Sequence, residues 1–241
     1  MPRFGYPHRH FRATDSTNAR ARELALEGAP GGLVVTADEQ SAGRGRQGRS
    51  WFAPSGTALL YSALLRPLGD RPLLPLAVPL AVCEAAESLA PVSCGVKWPN
   101  DVWIGDSKLA GVLIESRAGD DGWAVIGVGL NVAVPASAFP DALRETATSL
   151  HEHTGEEAAT ADPEPGAVRA ALDERLGEWI DAPAERVLAG FRERDALAGR
   201  RVSWDEGAGS VAGIDDSGHL LVDDDKRGRI TLGAGEVHLR L

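Results

Sequence analysis

Residues 40–51 read Gln-Ser-Ala-Gly-Arg-Gly-Arg-Gln-Gly-Arg-Ser-Trp and contain three arginines, three glycines and no acid. The whole chain is acidic, with 35 Asp and Glu against 25 Lys and Arg and a formal net charge of -10. Guanidinium groups bind phosphate and carboxylate in bidentate fashion, and glycine lets the backbone approach a ligand closely. This Arg/Gly loop (residues 40–51) predicts binding of a small anion. A solvated surface loop and a short RNA-binding segment are the alternatives.

The segments on either side of the Arg/Gly loop indicate that it joins two β-strands. Residues 32–39 and 58–66 are rich in apolar side chains and read as strands. Further upstream, Asp15-Ser16-Thr17-Asn18 places four successive helix-capping residues before a short run of helix formers. One helix start does not need four caps, so we expect some of these polar groups to face a polar ligand ring.

Alternating helical and strand patterns continue along the chain. Residues 76–90 are apolar at helical spacing, and Pro79 predicts a late start or a kink. From Gly199 onward, five short apolar runs separated by glycine and aspartate predict a small β-barrel. The predicted class is therefore α+β, with a mixed sheet and flanking helices in residues 1–198 and a β-module in residues 199–241.

Several polar residues lie on or beside the predicted strands that follow the Arg/Gly loop: Lys97, Asn100, Asp101, Lys108 and Asn131. If these strands form one sheet, one face of it would carry cations, amides and a carboxylate. Amide and carboxylate oxygens suit a hydrated Mg²⁺ that bridges phosphates, and lysine can stabilise charge that shifts during a reaction. For Lys97, a surface role and a functional role fit the pattern equally. No Walker spacing occurs, so a nucleotide would bind without a P-loop.

Composition narrows the function further. The acidic balance argues against general nucleic-acid binding. Cys83 and Cys94 have no metal-type spacing and are expected to be buried reduced thiols, which suits the cytoplasm. Two pairs of histidines, His8 with His10 and His151 with His153, have no cysteine or further metal ligand nearby in the sequence, so no zinc site is predicted. No run of signal-peptide or membrane-spanning length occurs, and we expect a soluble protein with no membrane partner.

Five motifs occur in the order seen in biotin protein ligases. They are Asp-Ser-Thr-Asn (15–18), the Arg/Gly loop, Lys-Trp-Pro-Asn-Asp (97–101), Lys-Leu-Ala-Gly-Val-Leu-Ile-Glu (108–115) and Gly-Val-Gly-Leu-Asn-Val (127–132). The chain resembles that family over nearly its whole length. The resemblance implies a catalytic domain like those of class II synthetases and a C-terminal SH3-like barrel.

The resemblance also implies a two-step reaction. The carboxylate of biotin attacks the α-phosphate of ATP to give biotinyl-5′-AMP, with Mg²⁺ assisting. A lysine on a carrier domain of an acyl-CoA or pyruvate carboxylase then takes the biotinyl group. By position, Lys108 and Arg46 would be catalytic. Residues expected to bind the acid are Ser16, Thr17, Asn18, Gln40, Arg44, Gly45, Arg46, Lys108, Gly111, Gly127 and Gly129. Residues expected to bind the nucleotide are Arg49, Trp51, Asn100, Asp101 and Asn131.

The sequence also bears on DNA binding and self-association, and it leaves two alternative functions open. About 14 residues precede the first motif, so a ligase without the family's DNA-binding repressor domain is expected. Some family members pair as homodimers through the edge of the central sheet, and the sequence leaves the free edge open. A lipoate ligase is the nearest rival, although the polar residues at 16–18 suit a ureido ring better than a dithiolane. An RNA-binding protein is the rival from another class.

Overall fold

The computed structural model describes residues 3–154, 163–233 and 237–239. Strands between residues 8 and 131 form a seven-stranded sheet with the strand order β1-β2-β3-β7-β6-β5-β4. Its strands are β1 (His8–Phe11), β2 (Val34–Ala37), β3 (Ala58–Leu65), β4 (Cys94–Lys97), β5 (Asp101–Ile104), β6 (Ser107–Arg117) and β7 (Trp123–Asn131). β1 runs parallel to β2 and the other pairings are antiparallel, so the predicted mixed sheet is confirmed.

Four α-helices of the described residues cover this sheet. They are α1 (Thr17–Leu26), α2 (Leu74–Glu87), α3 (Pro165–Ile180) and α4 (Ala184–Arg194). α2, α3 and α4 contribute with one sheet face to a large apolar core, whereas α1 packs with the other face in a small second core. Consequently the face that carries α1 has room for a cavity beside that helix.

Pro79 does not delay the helix that contains it. α2 begins at Leu74, five residues before the proline, and continues to Glu87. The expected late start is therefore wrong. Pro79 is fully buried among apolar neighbours of α2, and its missing N–H removes only one bond of the helical ladder. Burial of a nearly all-apolar helix outweighs that loss.

The C-terminal segment forms a five-stranded antiparallel sheet in the order β11-β10-β9-β8-β12. Its strands are β8 (Arg201–Trp204), β9 (Gly207–Ile214), β10 (Leu220–Asp224), β11 (Gly228–Leu232) and β12 (His238–Leu239). The five predicted strands are confirmed, although residues 240–241 of the last one lie outside the described residues. Closure into a barrel and a domain boundary near Gly199 remain predictions.

Two remaining expectations concern the core and membranes. Cys83 and Cys94 are both buried and free, as predicted. None of the helices formed by the described residues has the length and apolarity needed to cross a bilayer.

Candidate active site

Every residue predicted to bind a ligand lines one cavity of about 660 Å³. The cavity lies on the sheet face that carries α1 and is covered by the loop between β2 and β3. Its floor includes Gly111 on β6 and Gly127 and Gly129 on β7. The antiparallel pairing of β6 with β7 sets Gly111 directly opposite Gly129, so the floor is flat where side chains would otherwise project.

The cavity end beside α1, here called the acid end, is built from buried hydroxyl and amide groups. Ser16, Thr17 and Asn18 are each 4–5% exposed at the start of that helix. Gln40 Oε1 accepts from the Thr17 amide at 2.7 Å and from its hydroxyl at 3.0 Å. The buried Ser62 hydroxyl lies 2.8 Å from Thr17 Oγ1 and 2.6 Å from Asn18 Oδ1.

This network fixes the chemical character of the acid end. Two hydroxyl protons serve four side-chain oxygens, those of Thr17, Asn18, Gln40 and Ser62, so acceptor capacity is left over. Ser16 makes no side-chain cap to its helix. The end therefore favours a ligand that donates N–H groups into it.

Gly127 is needed for that arrangement. A Cβ on Gly127 would lie 2.2 Å from Asn18 Oδ1, far inside contact distance. In the same way, a Cβ on Gly129 would lie 2.4 Å from Cε2 of the Trp51 ring. The two glycines therefore admit Asn18 at one end of the floor and Trp51 further along it.

The Arg/Gly loop is held by its own backbone. Arg44 and Ser50 form an antiparallel bridge, and Trp51 N donates to Gly43 O at 3.0 Å. Gln47 has φ +55, a left-handed value that is uncommon outside glycine, and Gly48 follows with φ +75. These bonds make the loop a closed ring whose arginines reach the cavity.

The other end of the cavity, here called the phosphate end, is cationic. Lys108 Nζ lies 2.7 Å from Asp101 Oδ1 and 5.7 Å from the centre of the Trp51 ring. Arg46 Nη1 donates to Asn100 Oδ1 at 3.1 Å. Because the hairpin of β4 and β5 carries both Asn100 and Asp101, one short turn orients two cations.

Asn131 and Asp101 are the groups best suited to a metal at this end. Asn131 is 3% exposed, and its Oδ1 has no hydrogen-bond partner among the described residues. No cluster of three or more His, Cys, Asp or Glu able to hold a metal occurs in the described part of the chain. One carboxylate and a buried amide oxygen fit a hydrated Mg²⁺ held mainly by phosphate oxygens, and do not fit a metal caged by protein.

The C-terminal sheet contacts the same hairpin. Trp98 Nε1 donates to Gly218 O at 3.0 Å, across the gap from the β4–β5 turn to the β9–β10 turn. Arg200 makes two hydrogen bonds to Asp106, at 2.5 and 3.1 Å, and thereby lowers the pKa of that carboxyl. The C-terminal segment thus supports the residues beside Asn100 and Asp101.

Sequence reasoning assigned no role to several residues that the structure brings to the site. Ser62 completes the acid-end network, and its signal was a hydroxyl inside an otherwise apolar strand. Glu115 closes the 108–115 motif and contacts both Asn18 and Arg44. The remaining cavity residues without a predicted role include Tyr61, Trp103, Phe139, Leu143 and His238, and Lys97, for which the sequence left a surface and a functional role open, also lines the cavity. Burial and the neighbouring Asp173 raise the pKa of the Tyr61 hydroxyl.

Comparison with known proteins agrees with this geometry. Residues 10–131 match the model of the biotin/lipoate A/B protein ligase family. This chain belongs to that family. The matched range contains the whole seven-stranded sheet except its first two residues, together with the Arg/Gly loop and both ends of the cavity.

Individual relatives place the ligase fold over nearly the whole chain. The biotin--[acetyl-CoA-carboxylase] ligase of Mycobacterium tuberculosis is 36% identical over 242 residues, covering 94% of this chain and 87% of that protein. The biotin protein ligase of Aquifex aeolicus, in complex with biotin and ATP, superposes with a TM-score of 0.82 at 28% identity, covering 98% and 99%.

A third relative matches only in part. The bifunctional ligase/repressor BirA of Bacillus spizizenii is 41% identical over 146 residues, covering 58% of this chain. The match spans 45% of the length of that protein. Sequence similarity to it is therefore concentrated in part of each chain.

Proposed function

We propose that this protein is a biotin protein ligase that forms biotinyl-5′-AMP from biotin and ATP and passes the biotinyl group to a carrier lysine. The observation that carries the proposal is a single cavity with two chemically different ends. The acid end presents surplus buried oxygen acceptors, and the phosphate end presents Arg46, Arg49 and Lys108. Similarity to ligases that bind biotin and ATP supports the same assignment.

A ureido ring suits the acid end because its two N–H groups can donate to the oxygens of Thr17 and Gln40 and its carbonyl can accept from Ser16. A dithiolane ring has no N–H and would leave the spare acceptor capacity of these oxygens unused. This difference favours biotin over lipoate as the acid.

In the first step, a carboxylate oxygen of biotin attacks the α-phosphorus of ATP. One P–O bond forms, the bond to the bridging oxygen breaks, and pyrophosphate leaves. Lys108 stabilises the charge that moves onto the α-phosphate and the reacting carboxylate, after exchanging its ion pair with Asp101 for the substrate. Arg46 and Arg49 bind the phosphates, and Mg²⁺ held through phosphate oxygens would supply further charge neutralisation.

In the second step, the amine of a carrier lysine attacks the acyl carbon of biotinyl-5′-AMP. An amide forms, AMP leaves with the electrons of the acyl–oxygen bond, and the amine loses a proton. The mixed anhydride must be kept from water until the amine arrives. The Arg/Gly loop covers the cavity and excludes solvent from the anhydride.

The partner is a biotin carboxyl carrier domain of the acyl-CoA or pyruvate carboxylase class. Its lysine must enter past the Arg/Gly loop, where the exposed Phe52 lies at the cavity margin. Self-association into a homodimer and the absence of DNA binding remain predictions.

The deciding experiment is ATP–pyrophosphate exchange with biotin and with lipoate measured side by side. Biotin-dependent exchange, followed by labelling of a carrier domain, is the expected result. Exchange with lipoate alone would assign the lipoate ligase reaction. A salt-sensitive affinity for RNA with no exchange for either acid would revive the RNA-binding hypothesis.

A further inference from the structure

Glu115 lies on β6 two residues beyond Leu113, which lines the cavity, but is not itself one of the lining residues. Its Oε2 atom accepts from Asn18 Nδ2 at 2.9 Å and lies 3.4 Å from Arg44 Nη2. One carboxylate oxygen therefore contacts both the acid end and the Arg/Gly loop, two parts of the site that are distant in sequence.

The contact with Asn18 fixes which way its amide faces. A carboxylate only accepts hydrogen bonds, so it must take the NH₂ side of the amide. The second amide proton is directed to Leu113 O at 3.4 Å, and Ser62 donates to Asn18 Oδ1. Both donors of Asn18 are thus used within the protein, and only a lone pair of Oδ1 remains for a ligand.

The contact with Arg44 anchors the first arginine of the loop. Arg44 is bridged to Ser50 through the backbone, so holding its side chain also holds the ring of residues 43–51. The side chains of Arg44 and Glu115 are 41% and 26% exposed, so a modest attraction is expected from this pair while the cavity is open to water. Closure over a ligand would remove water from the pair and strengthen it.

We propose that Glu115 is a positioning residue that couples the acid end to the Arg/Gly loop. By orienting the Asn18 amide it keeps the acid end rich in acceptors, and by pairing with Arg44 it keeps the loop over the adenylate. This inference rests on the proposed function. It assigns to Glu115, which does not line the cavity, a role in selecting the acid and in retaining the adenylate.

The test compares Glu115→Gln with Glu23→Gln. Glu23 pairs with Arg20 at 2.8 Å on the exposed side of α1, and among the described residues it forms no hydrogen bond or ion pair with the loop. Glu23→Gln is therefore a matched loss of one ion pair. Two quantities are measured for each variant and for the wild type. They are the dissociation constant of biotin without ATP and the rate at which preformed biotinyl-5′-AMP leaves the protein.

Glu115→Gln should release the adenylate about 10-fold faster and bind biotin several-fold more weakly, as expected for a typical coupling between two sites. Glu23→Gln should match the wild type in both. In an Arg44→Gln background, the effect of Glu115→Gln on adenylate release should largely disappear, because the two changes remove the same contact.

The proposal would be overturned if Glu115→Gln released the adenylate and bound biotin as the wild type does. It would also be overturned if the effects of Glu115→Gln and Arg44→Gln on adenylate release were fully additive. A thermal midpoint is recorded for each variant. If Glu115→Gln unfolds, Glu115→Asp takes its place: the shorter side chain withdraws the carboxylate from Arg44, so the adenylate must leave faster than from the wild type for the proposal to stand. A wild-type protein with no biotin-dependent exchange would instead remove the proposed function, and this inference with it.

Discussion

The two ends of the cavity are built on different principles. At the acid end, Thr17, Asn18, Gln40 and Ser62 are linked by hydrogen bonds, and all but the half-buried Gln40 are buried. At the phosphate end, Arg46 and Lys108 are half-buried, and their polar side-chain partners among the described residues are Asn100 and Asp101. The first end is preorganised for one shape, whereas the second holds mobile charge that must change partners when phosphates bind. This contrast suggests that recognition of the acid depends on fit and activation of the acid depends on electrostatics.

The largest expected effect tests the electrostatic end. Lys108→Ala should lower the rate of biotin-dependent ATP–pyrophosphate exchange by about 10²–10³-fold, because a preorganised group that stabilises developing charge is lost. The thermal midpoint should change little, because the Lys108 side chain is 35% exposed and its ion pair with Asp101 is partly solvated.

Lys226→Ala serves as the control for Lys108→Ala, because Lys226 lies in a turn of the C-terminal sheet away from the cavity. ATP–pyrophosphate exchange at the wild-type rate in Lys108→Ala would remove this lysine from the mechanism. It would also contradict the view that activation of the acid depends on electrostatics.

The next effect tests the preorganised end. Gly127→Ala places a methyl group against Asn18, and overpacking of this kind costs about 1–3 kcal/mol. Biotin affinity, measured by calorimetry without ATP, should fall about 5- to 150-fold, while ATP affinity is retained.

Gly129→Ala is the matched comparison, since its methyl group would meet Trp51 instead. That variant should mainly weaken ATP binding. Equal losses of both ligands in both variants would show that the two ends are not separate recognition sites.

A smaller effect is expected from the Arg/Gly loop. Arg46→Ala removes a charged hydrogen-bond donor that is held by Asn100. Escape of biotinyl-5′-AMP should become about 10-fold faster, which corresponds to the lower end of the about 1.5–3 kcal/mol for a hydrogen bond to a charged group, because Arg46 is only half-buried. The measurement is the dissociation of labelled adenylate from the protein. Retention as long as in the wild type would contradict a covering role for the loop.

The smallest effect concerns the support of the phosphate end by the C-terminal sheet. Trp98→Phe keeps an aromatic ring at this buried position but removes the N–H that donates to Gly218 O, together with the fused five-membered ring. The lost hydrogen bond alone contributes about 1 kcal/mol, so the thermal midpoint should fall by at least about 2–4 °C. The Michaelis constant for ATP should also rise slightly, because Trp98 precedes the turn that carries Asn100. A midpoint shift without any change in that constant would limit Trp98 to a structural role.

The sequence predicted the strands around the Arg/Gly loop and the membership of Lys108 and Asn131 in one site, because ordered motifs report local chemistry. It also predicted that the residues at 15–18 were more than a helix cap. The late helix start offered for Pro79 was wrong, because the pattern of a single segment cannot show how deeply the helix is buried, whereas the alternative of a kink stays a prediction. It did not single out Ser62, since one hydroxyl in an apolar strand has no meaning until its neighbours from α1 are known.

The chain alone determined which residues carry charge, which segments form strands, and that glycines occupy the floor of the site. Tertiary structure decided what those residues do to one another. Only the pairing of β6 with β7 sets Gly111 opposite Gly129, and only the packing of α1 against that sheet brings Asn18 to Gly127 and Glu115. The physical reason is that hydrogen bonds and ion pairs act over a few ångströms. Residues separated by nearly a hundred positions come within that range only after the strands have paired into the sheet.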